Sequence, residues 1–145
     1  MAYRSDVRIA IPYDKFNLLI NEIDKQVELY NNTIEDYNKE QTNPYLKRYP
    51  TENILRHANI CTDKEYYYIA KLEWVKFDQD YKDCKILIDA LDKICEEEYN
   101  IIQMGEDGAV IMDYNASENL PYFTTVTEIV TECNDEDKEI KIDIP

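Results

Sequence analysis

The chain has 145 residues, 44% of them apolar, and a formal net charge of −15 at pH 7. This length and apolar content predict a single domain over residues 1–145, and a total of 2 glycines and 5 prolines excludes a low-complexity chain. There is no run of about 18 apolar residues to span a membrane, and residues 1–6 lack the apolar core of an export signal. The sequence therefore favours a protein of the cytoplasm.

The negative charge is concentrated in residues 64–145, which carry 21 Asp and Glu against 8 Lys and no Arg. This excess argues against nucleic acid as a direct partner of that half, because Lys and Arg drive binding to phosphates. Two interpretations remain for the excess. It serves general solvation, or it forms a surface that meets a basic partner.

The first half of the chain predicts a strand, a helix and a loop. Residues Arg4 to Ile11 alternate as a half-buried strand that ends at Pro12. A helix of about two dozen residues follows, capped by Asp14, which either continues through or breaks at Asn31-Asn32. Its apolar stripe consists of Phe16, Leu19, Ile20, Ile23, Val27, Tyr30, Ile34 and Tyr37. Residues 42–63 lose this periodicity and predict a long loop with one helical turn near Thr51.

The second half predicts a strand over Glu65–Val75, in which Leu72 and Trp74 fall on one face, and a helix capped by Asp78 or Asp80. Two short strands, Tyr99–Met104 and Ala109–Tyr114, flank a turn at Gly105–Gly108. A further strand is predicted over Phe123–Cys133. The acidic C-terminal segment, residues 134–145, holds Ile140, Ile142 and Ile144 at the spacing of a last edge strand.

This order of elements predicts an α+β fold. Two helices alternate with a largely antiparallel set of strands, which favours a two-layer α/β sandwich of the ferredoxin-like kind, with both helices packed on the sheet. The sequence leaves the order of the strands within the sheet open.

The residues that usually carry catalysis are sparse. Cys61, Cys84, Cys95 and Cys133 are scattered without metal-ligand spacing, and His57 is the only histidine. The two glycines lie three positions apart, which excludes the glycine-rich phosphate loops of common nucleotide-binding folds. We therefore expect no catalytic residues, no metal and no cofactor.

Tyrosines mixed among carboxylates suggest an interface instead, because tyrosine is a preferred anchor of protein–protein contacts. The acids at positions 96–98 also follow the second helix, where the helix dipole disfavours negative charge. The predicted partner-binding surface, an imitation of nucleic acid, consists of Glu96, Glu97, Glu98, Tyr99, Glu106, Asp107 and Tyr114.

An alternative site lies in the more basic loop. Its cations could hold the phosphates of a nucleotide while an aromatic ring stacks on the base. This site would consist of Lys47, Arg48, Tyr49, Arg56 and His57, in a protein that forms oligomers.

Three segments carry a resemblance: Tyr3–Val7, Trp74–Phe77 and Tyr99–Asp107. Through them the chain resembles a loose group of small acidic proteins encoded by tailed bacteriophages, over most of residues 1–114. The resemblance brings no catalytic residues. It implies a protein made in the cytoplasm of a bacterial host, where it acts as a non-enzymatic, anti-CRISPR-like inhibitor of a basic, nucleic-acid-binding defence enzyme. The alternatives are an oligomeric sponge that sequesters a nucleotide immune signal, and a phage accessory or structural protein.

Overall fold

The structure, a computed structural model, describes residues 3–63, 65–125, 128–131 and 138–139. Its larger elements are β1 (Ser5–Pro12), α1 (Phe16–Lys39), β2 (Asn59–Thr62), β3 (Tyr67–Val75), α2 (Lys82–Ile94), β4 (Asn100–Gly105) and β5 (Val110–Asn115). Three short strands follow: β6 (Phe123–Thr125), β7 (Ile129–Thr131) and β8 (Lys138–Glu139). Short 3-10 turns occupy Tyr13–Lys15, Pro44–Leu46 and Ile54–His57.

The main sheet has the strand order β5-β4-β1-β3-β2-β8, and each pair of neighbours is antiparallel. The order β4-β1-β3-β2, with one helix after β1 and one after β3, is that of the ferredoxin-like fold. The predicted α+β sandwich is therefore confirmed. The structure adds the order that the sequence left open, with β5 and β8 extending the two edges.

The principal core lies between the sheet and the two helices. Alternate residues of β1, among them Val7, Ile9 and Ile11, meet the apolar stripes of both helices. Each large side chain buried in this way stabilises the fold by roughly 1.5–3 kcal/mol. Helix α1 continues unbroken through Asn31-Asn32. No helix in the described part of the chain has the length and apolar character needed to cross a membrane.

The opposite face of the sheet carries a second, smaller apolar cluster. Its sheet residues include Ile69 and Ile102, and they are covered by Leu120 and Phe123. The sequence predicted one strand over Phe123–Cys133, whereas the structure has β6 and β7 paired with each other. This reversal lets Phe123 and Ile129 pack on the same apolar cluster. Cys133 and the predicted last strand at Ile140, Ile142 and Ile144 lie outside the described residues.

Three local predictions are wrong. Strand β2 lies within the predicted loop 42–63, because a four-residue strand carries too little periodicity to be seen and is specified by its pairing with β3. Asp14 falls in a 3-10 turn, and the N-cap of α1 is Lys15. The N-cap of α2 is Tyr81, and the carboxylate of Asp78 accepts the backbone N–H of Asp80 instead of capping the helix.

The remainder of the predicted loop is fixed along α1 by two asparagines. Asn38 donates to the carbonyl of Arg48 at 2.7 Å and accepts its N–H at 2.8 Å. Two helical turns earlier, Asn31 makes the same pair of bonds to Thr51, at 3.1 and 2.9 Å. Each amide satisfies both backbone groups of one loop residue, which is how an irregular segment avoids unpaired polar groups.

The same device holds the segment that crosses the opposite face of the sheet. Asn100, which is fully buried, pairs with both backbone groups of Ser117 and also donates to the carbonyl of Pro121. Asn115 pairs in the same way with Phe123. These bonds hold the chain against the second apolar cluster.

Candidate partner-binding site

The acidic residues predicted to form one surface lie at the two ends of strand β4. Glu96, Glu97 and Glu98 precede β4, whereas Glu106 and Asp107 follow it. Strand β4 has six residues, which places roughly 20 Å of extended chain between the two groups. The predicted contact residues therefore fall into two groups, because an extended strand separates positions that are close in sequence.

Of the two tyrosines predicted as interface anchors, Tyr99 is buried in the protein and Tyr114 is half-buried. Tyr99 is buried, its hydroxyl donates to Asp92 at 2.6 Å, and its ring lies 5.1 Å from the ring of Tyr114. Burial and then the bond to Asp92 raise the pKa of the Tyr99 phenol. Tyr114 is half-buried and packs against the principal core. Tyr99 therefore holds α2 against the sheet and presents no contact surface.

At the end of α2, Glu96 has a backbone φ of +55°. It follows Cys95, the C-cap of the helix, at a position where glycine is favoured because a side chain is strained there. The three glutamates at positions 96–98 are all exposed. Their charges and the strained backbone at Glu96 both act against the stability of this helix end.

The turn between β4 and β5 is tied to the start of the chain. Gly108 adopts a φ of +84° and donates its N–H to the carbonyl of Gly105 at 2.9 Å, as the sequence predicts for a tight turn. The Asp107 carboxylate accepts the N–H of Ala109 at 3.1 Å and the hydroxyl of Tyr3. The bond to Tyr3 is the main reason that the pKa of Asp107 is lowered.

The ring of Tyr3 lies against Gly105 so closely that a Cβ at this glycine would collide with it. The Tyr3 ring therefore occupies the space beside this glycine, and the hydrogen bond to Asp107 fixes the far end of the same ring. Together these contacts hold Tyr3, which remains 42% exposed, in one position beside the turn.

Trp74, the only tryptophan in the chain, is 60% exposed. Ser5 pairs with Val75 and Val7 with Leu72, so β3 contains one residue more than β1 between these pairs. This bulge gives Trp74 a φ of +55°, which is rare for a bulky side chain and costs roughly 1–2 kcal/mol. The alternation in the sequence had placed Trp74 with the buried Leu72. The extra residue reverses that phase and turns the indole outward.

Two side chains hold this bulge: Asp6 lies in β1, and Arg4 immediately precedes the strand. The carboxylate of Asp6 accepts the N–H of Trp74 at 2.8 Å, and the guanidinium of Arg4 donates to its carbonyl at 3.3 Å. The backbone N–H of Arg4 in turn donates to Glu106 at 3.3 Å. The bulge and the β4–β5 turn are therefore connected through residues 4–6.

A cleft of about 330 Å³ lies between the start of α2 and strands β4 and β5. Its walls are apolar at Phe77, Ile88 and Met112, and its lining also includes Tyr3 and Gln103. The exposed carboxylates of Asp78 and Asp80 complete it. We call this region the Trp74 end, defined by Tyr3, Trp74, Asp78, Asp80, Glu106 and Asp107.

Two basic residues of the alternative site, Arg48 and Arg56, contact other side chains of the domain. The guanidinium of Arg56 forms an ion pair with Asp24, with 3.1 Å between Nε and Oδ1, and this bond is the main reason that the pKa of Asp24 is lowered. Arg48 lies over the ring of Tyr37 at 4.3 Å. The remaining members of the set are His57, whose Nε2 lies 2.7 Å from Glu52, and the exposed Lys47 and Tyr49.

A second cleft, of about 350 Å³, lies between the two helices. Its lysines face groups of the same groove: Lys93 bonds to Glu22 at 2.7 Å, and Lys82 lies 4.9 Å from the ring centre of Tyr30. Glu22 and Lys93 therefore neutralise each other, and Asp89 is a further carboxylate in the lining of this groove.

Two buried thiols, those of Cys84 and Cys95, are poor nucleophiles. Burial raises the pKa of both Cys84 and Cys95 to about 12, so both are protonated at neutral pH. Within residues 3–63, 65–125, 128–131 and 138–139, no three His, Cys, Asp or Glu side chains are grouped to hold a metal ion.

No protein-family model, curated protein or solved structure matches this chain. The protein is therefore described by its fold and by the geometry of its candidate site. It is a ferredoxin-like α+β domain in which one end combines an outward-facing tryptophan, exposed carboxylates and a cleft.

Proposed function

We propose that this protein is a non-catalytic inhibitor that binds a basic protein of a bacterial host through the Trp74 end. Bound there, it competes with nucleic acid for the basic groove of that host protein. The observation that carries the proposal is Trp74 itself: an exposed indole on a strained bulge whose backbone is held by Asp6 and Arg4.

Folding alone gains little from this arrangement. A left-handed backbone conformation costs roughly 1–2 kcal/mol at a bulky residue. Because the indole of Trp74 is 60% exposed, it contributes only part of the stabilisation that a fully buried side chain would give. Strain of this kind is typical of functional sites. Tryptophan is also the residue type most enriched among those that dominate binding energy at protein interfaces. A surface that displays Trp74 is therefore better explained by a partner than by stability.

The charge around Trp74 selects the class of partner. Asp78 and Asp80 line the cleft, Arg4 connects the Trp74 backbone to Glu106 on the β4–β5 turn, and the whole chain carries a charge of −15. Such a surface attracts a basic protein, speeds its association and repels nucleic acid. The resemblance to tailed-phage proteins supplies the setting, the cytoplasm of an infected bacterium.

The test places a photo-crosslinking amino acid at position 74 and, as a matched control, at position 45. Tyr45 is 94% exposed and lies in the loop along α1. After irradiation in the host, mass spectrometry identifies what is attached. We expect position 74, and not position 45, to attach one basic nucleic-acid-binding protein in stoichiometric amount. Equal attachment at both positions, or attachment only of acidic proteins, would contradict the proposal.

A binding measurement with the identified protein then separates the side chain from the general charge. Trp74→Ala removes the indole and keeps the net charge, so we expect the affinity to fall at least tenfold, as at a central interface residue. Tyr45→Ala should leave the affinity unchanged. If the two variants bind equally well, the contact surface lies elsewhere.

A further inference from the structure

We propose that the cleft of the Trp74 end binds one arginine side chain of the basic partner. This inference rests on the proposed function and names the chemistry of its central contact. It is carried by the geometry of Gln103 together with the lining of the cleft.

Gln103 is 98% buried, with a relative exposure of 2%, and its amide nitrogen is fully used. Nε2 donates to the hydroxyl of Ser5 at 2.9 Å and to the carbonyl of Phe77 at 2.8 Å. Its carbonyl oxygen Oε1 receives no hydrogen bond from any residue of the described chain. Every fully buried side-chain polar atom in the described residues has a hydrogen-bond partner. Because Oε1 has none, it is not fully buried, and it opens to the cleft that Gln103 lines.

An acceptor in this position is open to a donor that enters the cleft. A ligand that donates to Oε1 there replaces solvent as its partner while it makes its other contacts. Gln103 is bonded to the carbonyl of Phe77, the residue immediately before Asp78. Gln103 and Asp78 therefore line the same cleft.

The rest of the lining fits an arginine better than other donors. Apolar walls at Phe77, Ile88 and Met112 suit the aliphatic part of its side chain. The carboxylates of Asp78 and Asp80 suit its charge, and its planar group has five N–H donors that can serve a carbonyl and a carboxylate at once. The held ring of Tyr3 offers a face on which that plane can stack. A lysine ammonium matches the charge and lacks the plane.

The test titrates the isolated protein with Nα-acetyl-arginine methylamide and follows the protein by NMR. The readouts are the side-chain amide resonance of Gln103 and the methyl groups of Ile88 and Met112. We expect saturable shifts at all three, because the ligand binds Oε1 and the apolar walls. Nα-acetyl-lysine methylamide should bind at least several-fold more weakly.

Two charge-neutralising variants separate the cleft from general electrostatics. Asp80→Asn removes one carboxylate of the cleft and should weaken arginine binding roughly fivefold, since an exposed charge pair contributes up to about 1 kcal/mol. Asp36→Asn removes the same charge from an exposed position on α1 and should leave the affinity unchanged. Equal weakening by both variants, equal binding of the lysine compound, or an unshifted Gln103 amide would each overturn the inference.

The outcome is distinguishable from that of the proposed function. If arginine does not bind while crosslinking at position 74 still attaches a basic protein, the cleft inference fails alone. If arginine saturates the cleft and no basic protein attaches at position 74, the proposed function fails and the cleft remains an arginine site.

Discussion

The carboxylate of Asp6 accepts the backbone N–H of Trp74, with 2.8 Å between Oδ1 and the nitrogen. Asp6 lies opposite the extra residue of β3. Its carboxylate therefore provides an acceptor for the N–H of Trp74, at the point where the bulge interrupts the pairing of β1 with β3. One acid of this chain therefore has a structural role, because it stabilises a strained backbone that turns the indole toward solvent.

The strain at Trp74 can be measured by comparing two substitutions that both remove the indole. Glycine within a strand normally gives a less stable protein than alanine does, but glycine adopts a φ of +55° without strain. We therefore expect Trp74→Gly to be more stable than Trp74→Ala by about 1 kcal/mol in chemical unfolding. The same pair at Glu73, the other bulge residue, should show the usual order. If alanine is the more stable residue at position 74, the bulge is not strained.

The end of α2 offers a second measurement of strain. Glu96→Gly should raise the free energy of unfolding by about 1 kcal/mol, because it relieves a left-handed backbone and removes an acid from a helix C-terminus. Glu97→Gly removes the same charge at a neighbour without a positive φ and should give no such gain. A gain of equal size in both variants would assign the effect to charge alone.

Asn100 should be among the most sensitive positions of the fold. Asn100→Asp replaces a buried amide that donates to two carbonyls with a carboxylate that faces both of them. We expect the free energy of unfolding to fall on the order of 3 kcal/mol. Asn43→Asp makes the same chemical change at an exposed turn cap, which only accepts a hydrogen bond, and should cost little. Similar losses at both positions would contradict the role given to Asn100.

The ion pair between Asp24 and Arg56 should make the loop's contribution to stability depend on pH. The bond to Arg56, followed by that to Asn53, lowers the pKa of Asp24 in the folded protein. The stabilisation is therefore present above the unfolded pKa of about 3.9 and is lost as pH falls through the lower folded value.

Arg56→Met should reduce the free energy of unfolding at pH 7 by up to about 1 kcal/mol, since both side chains are about one-third exposed and screened. The difference from the unmodified protein should shrink as the pH falls below about 4. Asp24→Asn in both backgrounds provides the control, because it should remove the pH dependence of that difference. A difference that stays constant in acid would show that Arg56 acts by packing.

The sequence predicts the elements that carry long periodic patterns and misses what depends on tertiary contacts. The stripe of α1 and the alternation of β1 and β3 are read directly, because each buries one face. Strand β2 is missed because its four residues are specified by pairing with β3. Nothing local marks the asparagines that bind distant backbone groups.

The site was the least predictable part. Glu98 and Glu106 lie eight positions apart in the sequence. They lie at opposite ends of β4 because the chain between them is extended. Likewise, the bulge that exposes Trp74 depends on its pairing with β1. Gln103 reads as an ordinary polar strand residue until its partners Ser5 and Phe77 are in place.

The emission of Trp74 gives the most direct measurement of the central claim, because it is the only tryptophan of the chain. With a tryptophan-free variant of the crosslinked host protein as titrant, the indole should shift to shorter wavelength on binding. The affinity should fall steeply with added salt, and nucleic acid bound to the host protein should be displaced in parallel. Binding that leaves the emission of Trp74 unchanged, or that allows nucleic acid to stay bound, would contradict the account.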